Sequence, residues 1–279
     1  MDGTIYSGGT LFDSTRPFLA LLADLRLGYT FLTNNSSRSA KDYLAHLAQK
    51  GITASASQLY TSTQATIEYL RQQRPAAQRL FVLGTASMRS ELEAAGFAMA
   101  ADSPKDEPEA VVVGFDTELT FPRLCRAAYW ISQGKPFIAT HPDRVCPTDQ
   151  PTVLVDCGAV CAALERATGR GPDAVLGKPD PCMLRGILRR HALAPEQLAM
   201  VGDRLYTDMA MAGKAGALGV LVLTGETSRA EAARHTPPLD LIVSDLGEFG
   251  ERLRAARRQP AGASQTKCSA GAGKGAPCR

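Results

Sequence analysis

No Cys-x-x-Cys pair occurs among the seven cysteines, Cys125, Cys146, Cys157, Cys161, Cys182, Cys268 and Cys278. An odd count without such pairs argues against a closed disulfide framework. Cys157 and Cys161 are four apart and can share a helix face, but the sequence around them holds no histidine or second pair to complete a zinc site, so structural thiols are expected. Absent too are any apolar run of membrane-spanning length and the charged-then-apolar pattern of a secretory leader. The formal charge of +3 is too small to argue for nucleic acid, and part of it sits on Arg254, Arg257, Arg258, Lys267, Lys274 and Arg279 near the end. The resulting expectations are a reducing cytoplasm and a small-molecule partner, with neither nucleic acid nor membrane.

What is present is an ordinary globular composition, 44% apolar and 21% charged over 279 residues, enough for one large domain or two ordinary ones. Helix-spaced Phe18, Leu19, Leu21, Leu22 and Leu25 follow a possible cap at Asp13 or Ser14 and stop at Gly28. A short strand over 29–32, a helix from Ser39 to Gly51, a strand near Leu59 and Tyr60 and a helix over 63–73 continue the alternation. Strand and helix in turn imply a parallel sheet with right-handed crossovers.

Around Pro75 the pattern restarts, with strands over 80–83, 110–115 and 136–140 and helices over 87–95, 121–132 and 158–168. A block of this size can bury a small core of its own. Tyr129 and Trp130 read as part of it. After the linker 169–172 the first pattern resumes with Ala174-Val175-Leu176, a helix near 183–190, a strand over 198–201, a helix near 208–214 and a strand over 220–223. A helix near 229–234, a strand over 239–243 and a closing helix through Phe249 and Leu253 follow. The domain expectation is a core in two parts, 1–77 and 173–257, an inserted unit over 78–172, and a disordered tail over 258–279 that holds no large apolar residue.

Four polar stretches punctuate this pattern. They are Asp2-Gly3-Thr4, Thr33-Asn34-Asn35, Gly177-Lys178-Pro179, and Gly202-Asp203 running on to Asp208. In an open parallel sheet ligands bind at the carboxyl ends of strands. Asp2, Asp203 and Asp208 are hard oxygen donors suited to Mg²⁺, while a hydroxyl, helix N-terminal amides and a lysine suit a phosphate. Taken singly each has a plainer reading, Asp208 as a helix cap, Lys178 as a solvated turn residue and Thr33-Asn34-Asn35 as a strand-to-helix loop. Their joint occurrence at successive strand ends favours the chemistry.

In order and spacing the four stretches resemble the haloacid dehalogenase (HAD) superfamily of aspartate-nucleophile phosphatases, over about residues 1–257. Gly-Lys-Pro-Asp-Pro and Val-Gly-Asp-Arg-Leu-Tyr-Thr-Asp carry the likeness most specifically. An insert between the second and third stretches matches the NagD-like, p-nitrophenylphosphatase branch, subfamily IIA. The resemblance implies an α/β fold, a Rossmann-like parallel-sheet core with an α/β cap, and a Mg²⁺-dependent phosphatase of small monoesters working through an aspartyl-phosphate. It makes Asp2 the general acid and base, with its carbonyl on the metal. It puts Thr33 and the Asn34 amide on the phosphate with Asn35 shaping the turn, Lys178 between phosphate and nucleophile, and Asp203 and Asp208 at the metal. A homodimer through the cap is a further family expectation. His141-Pro142-Asp143 resembles a cap segment that is more often Asn-Pro-Asp; there Asp143 is a candidate site residue and His141 a satisfied loop residue.

One departure stands out. The family's nucleophilic aspartate lies two residues before the position of Asp2, ahead of Met1. A misplaced start is the expectation, since methionine is an ordinary residue between the two aspartates. The alternative is a form that binds phosphate without turnover, and a third is replacement of the nucleophile by water. The strand that would carry the nucleophile is central in this fold, so without it two sheet edges and a strip of core should be exposed.

Overall fold

The computed structural model describes residues 1–146 and 152–258. The chain opens with a short antiparallel hairpin, β1 (Tyr6–Ser7) and β2 (Thr10–Leu11), then α1 (Thr15–Asp24) and β3 (Phe31–Thr33). Helix α2 (Ala40–Gln49) starts at a capping box in which the Ser39 hydroxyl accepts from the Asp42 amide at 3.2 Å and Asp42 accepts from the Ser39 amide at 3.0 Å. Strand β4 (Leu59–Thr61) pairs in parallel with β3 and leads into α3 (Ser62–Gln73), capped by Thr61.

The inserted unit contains β5 (Arg79–Leu83), α4 (Ala86–Ala94), β6 (Ala98–Met99), β7 (Ala110–Val113), α5 (Phe121–Ser132) and β8 (Phe137–Ala139). It continues with the hairpin β9 (Val145–Cys146) and β10 (Leu154–Val155), then α6 (Cys157–Thr168) and β11 (Ala174–Val175). Its parallel sheet has the order β11-β8-β7-β5-β6. Side chains alternate across it. Phe81, Leu83, Val111 and Val113 pack with α5 and α6, while Leu80, Val82 and Val112 pack with Ile67 and Leu70 of α3 and with Met88 and Leu92 of α4. Burial on both faces explains why β7 reads as a continuous apolar run.

The remainder is α7 (Cys182–His191), β12 (Ala199–Gly202), a π-type turn over Leu205–Met209, α8 (Ala210–Ala215), β13 (Leu218–Val222), α9 (Arg229–Arg234), β14 (Leu241–Val243) and α10 (Leu246–Arg258). Strands β12, β13 and β14 form a parallel sheet in that order. Among the described residues no strand joins β3 to β12, so the core consists of two half-sheets, β3–β4 and β12–β14. Phe18 and Leu22 of α1, Phe31, Val220 and Val222, and Phe249 of α10 pack around that division.

Three differences from the sequence reading have physical reasons. Ala174–Val175 pairs with β8 at Ile138 and Ala139, so the second sheet extends past residue 172 before the chain returns to the core. A two-residue apolar step gives no clue to which sheet it will join. Tyr129 is not core: it is 40% exposed, edge-on to buried Trp130 and beneath the Arg126 guanidinium. Arg258 closes α10, and the expected disordered tail beyond it lies outside the described residues.

Candidate active site

The loop after β3 is the junction of core and cap. Buried Thr33 accepts the Asn35 amide on its hydroxyl at 3.3 Å, and Asn35 Oδ1 accepts from the Ser37 amide at 2.9 Å and the Ser37 hydroxyl at 2.7 Å, which shapes the turn. Asn34 does more than offer an amide. Its side chain accepts the Lys178 amide at 2.7 Å, donates to the Lys178 carbonyl at 3.0 Å, and donates to Asp143 of the cap at 3.2 Å. One buried amide group thus ties the second stretch, the third stretch and the inserted unit together. Ser36 adds to the junction by accepting the Phe115 amide at 2.8 Å and lying 3.3 Å from the Thr140 hydroxyl.

Lys178 reaches Asp208 with a 2.8 Å contact between Nζ and Oδ1, the carboxylate buried and the lysine half-buried. The π-type turn places Asp208, whose other oxygen accepts the Arg204 amide at 3.2 Å. Burial alone would raise this carboxyl, but Lys178, the Met1 ammonium and the two hydrogen bonds hold it below the usual carboxylate range. Asp203 behaves oppositely. Burial pushes its carboxyl up, the Glu226 amide donating at 3.0 Å opposes this, and the negative charge of Asp208 pushes it up again. Two neighbouring carboxyls shifted in opposite directions are a mark of a functional site.

Asp203 is walled by glycines. A Cβ on Gly3, which has a φ of +71°, would lie 2.4 Å from Asp203 Oδ2, and one on Gly225 would lie 2.1 Å from it. Side chains at either position would displace the carboxylate. The Thr224 hydroxyl donates to the Gly3 carbonyl at 2.6 Å, so the turn after β13 closes the site from the far side. Thr224-Gly225 follows a strand as Asn34-Asn35 and Asp203 do, and the same strand-end argument could have found it.

Asp2 lies at the mouth and is exposed, its Oδ1 accepting the Gly8 amide of the β1–β2 hairpin at 3.1 Å. The Met1 amine is buried instead. Desolvation and Lys178 push it down to about 6 against the pull of Asp208, Asp203 and Asp2. Of the seven sequence candidates, Lys178 and Asp208 are in direct contact, the Asn34 side chain holds the Lys178 backbone, and Asp203 stands against Gly3.

In the cap, His141 is completely buried, with Nδ1 2.8 Å from the Thr140 hydroxyl and Nε2 2.9 Å from Asp156 Oδ1. Ligand atoms of His141, Asp143 and Asp156 lie within 4.8 Å of one another. The imidazole and Asp156 are already paired, so this cluster is an internal ion pair, separate from Asp203 and Asp208. Burial disfavours the imidazolium, but the Cys157 sulfur, the Asp156 hydrogen bond and charge, and Asp143 hold its pKa up at about 9. A pKa raised above the unfolded value near 6.5 contributes stability that is complete below about pH 6.5 and lost as pH rises through about 9. Urea midpoints of the wild type and of His141→Gln should therefore converge over that window. Parallel midpoints across the window would refute the charged pair.

The architecture is that of a hydrolase handling phosphate at the carboxyl edge of a parallel sheet. A sequence model of the haloacid dehalogenase-like hydrolases matches residues 1–98, and a HAD-hydrolase-like model matches residues 175–249. The ribonucleotide monophosphatase NagD of Escherichia coli K12 is 32% identical over 228 residues, covering 82% of this chain and 87% of its own. The crystal structure of a 4-nitrophenylphosphatase from Thermotoga maritima superposes with a TM-score of 0.84 at 37% identity, covering 90% of this chain and 94% of that one. A glycerol phosphate phosphatase from Mycobacterium tuberculosis, solved in complex with magnesium, superposes with a TM-score of 0.80 at 33% identity, covering 88% and 73%. The chain belongs to the haloacid dehalogenase-like hydrolases, in their NagD-like phosphatase branch.

Proposed function

We propose that this protein is a Mg²⁺-dependent phosphatase that hydrolyses small phosphate monoesters through an aspartyl-phosphate. The observation that carries this reading is the Lys178–Asp208 pair, its carboxylate buried, after β12 and Asp203, with the Lys178 backbone held by Asn34 of the Thr33–Asn35 turn. Thr33 and the amides after it receive the phosphate oxygens, and Lys178 offsets the charge that gathers there in the transition state. Asn34, by holding the Lys178 backbone at both its amide and its carbonyl, fixes where the lysine starts. Asp2 at the mouth protonates the leaving alcohol and then takes a proton from the attacking water. The attacking carboxylate belongs on the residue ahead of Met1.

The donor set fits Mg²⁺. Asp203 and Asp208 offer oxygen alone, and the space kept by Gly3 and Gly225 lets Asp203 stand against the backbone of Gly3. With the Asp2 carbonyl these two carboxylates would hold the ion, which would supply positive charge to the phosphate oxygens. Asp143, on the cap and bonded to Asn34, is the cap residue assigned to the leaving group. A cytoplasmic location and a homodimer through the cap accompany this reading as its expected setting.

The test is a panel of sugar phosphates, glycerol phosphate, nucleoside monophosphates and p-nitrophenyl phosphate, run with a chain extended ahead of Met1 by an apolar segment ending in aspartate. Release of inorganic phosphate in Mg²⁺, abolished by EDTA, is expected from at least one ester. A folded, extended chain that binds phosphate yet releases none from any ester refutes the reading.

A further inference from the structure

Asp203 and Asp208 are held by backbone amides from two different turns. The Arg204 amide, in the turn after β12, donates to Asp208 Oδ2 at 3.2 Å, and the Glu226 amide, in the turn after β13, donates to Asp203 Oδ2 at 3.0 Å. The side chains of these two donors also meet, with Arg204 Nε 2.9 Å from Glu226 Oε2. A closed run of contacts therefore leads from Asp208 through Arg204 and Glu226 to Asp203. The Thr227 amide, donating to the Asp203 carbonyl at 3.3 Å, adds a second tie between the same two turns.

Both acids are buried, and the charge of Asp208 acts on Asp203, so the two carboxylates repel each other and need fixed donors to stay together. A backbone amide fixes an oxygen only as firmly as its own turn is fixed. Glu226 follows Gly225, where a Cβ would lie 2.1 Å from Asp203 Oδ2, so the residue nearest the acid has no side chain with which to anchor the turn. The Glu226 side chain supplies that anchor by reaching Arg204. With side chains 24% and 46% exposed, the ion pair adds little to global stability. Its leverage is local, on the two amides. Mg²⁺ tolerates small departures from its ligand geometry poorly, so loosened carboxylates bind it less well.

We propose that Arg204 and Glu226 are positioning residues for the metal centre, a clasp across the turns after β12 and β13 that keeps Asp203 and Asp208 aimed at one cation. The proposal rests on the reading of those two acids as metal ligands. It differs in sign from a simple charge effect. By charge alone, losing the Arg204 cation strengthens cation binding, losing the Glu226 carboxylate weakens it, and losing both leaves it unchanged. A clasp fails in the same way whichever half is removed.

The probe is Mn²⁺, followed by the paramagnetic resonance of the free ion, titrated into the purified 279-residue protein and into Arg204→Gln, Glu226→Gln and the double variant. Each single variant should bind Mn²⁺ about tenfold less tightly or worse, the range for partners that orient a metal ligand. The double variant should lie within about twofold of either single one, because the two residues act as a unit. Hydrogen exchange at the Glu226 amide should quicken in Arg204→Gln, where that amide and Asp203 are both unaltered. Urea midpoints close to the wild type separate these effects from misfolding. Tighter binding by Arg204→Gln with weaker binding by Glu226→Gln is the charge effect and overturns the proposal, leaving the acids as metal ligands. A loss confined to the variants that lack Glu226 makes that carboxylate a ligand and overturns it too. Mn²⁺ binding that is absent from the wild type, or unchanged in Asp203→Asn, removes the metal reading itself and the proposal with it.

Discussion

Fusing an apolar segment that ends in aspartate directly ahead of Met1 is expected to raise Mg²⁺-dependent phosphatase turnover by on the order of 10⁴-fold or more over the 279-residue chain. The size follows from what one residue supplies. Covalent attack divides hydrolysis into two easier displacements, and the same carboxylate adds an anionic oxygen beside Asp203 and Asp208. Structural and chemical effects separate through a second extended chain in which the added aspartate is replaced by asparagine. Both extended chains should melt higher than the short one because both fill the slot between β3 and β12, while only the aspartate form should turn over. Comparable turnover by the short chain under Mg²⁺ would remove the nucleophile assignment.

The second large effect concerns Lys178. In the extended chain Lys178→Met should lower kcat by about 10³-fold, the range seen when a preorganised charge is taken from a transition state. It should also cost about 3–5 kcal/mol of stability, because Asp208 is left charged, buried and without its 2.8 Å partner. The double variant Lys178→Met with Asp208→Asn tests the physical account. Removing both charges should return much of the stability and none of the activity. A Lys178→Met enzyme with unchanged kcat and raised KM would make the lysine a binding group, and unchanged stability would mean that water or another cation screens Asp208.

Much of the fold was legible because it rests on short-range rules. Helix spacing placed α1, Ser39 marked the start of α2, and apolar runs located β7 and β12. The strand-end argument likewise singled out Lys178 and Asp208, which are in contact. Contacts without a period were not legible. Asn34 meets Asp143 across 109 residues and Lys178 across 144, and nothing in either neighbourhood announces a partner. The buried His141–Asp156 pair escaped for the same reason, since one histidine in a loop says nothing about the carboxylate 15 residues on. Strands of two residues, such as β1, β2, β9 and β10, owe their existence to a neighbouring backbone and carry no pattern of their own.

Helix α3 has a consequence for how the site admits a ligand. Its Ala65 packs into the core cluster with Leu184 and Ile187, while Ile67 and Leu70 pack beneath the cap sheet. One rod is thus mortared into both masonry courses. A wide swing of the cap away from α3 would uncover Leu70, fully buried beneath the cap sheet, at about 1.5–3 kcal/mol for a side chain of that kind. Access should therefore come through small sliding of packed layers.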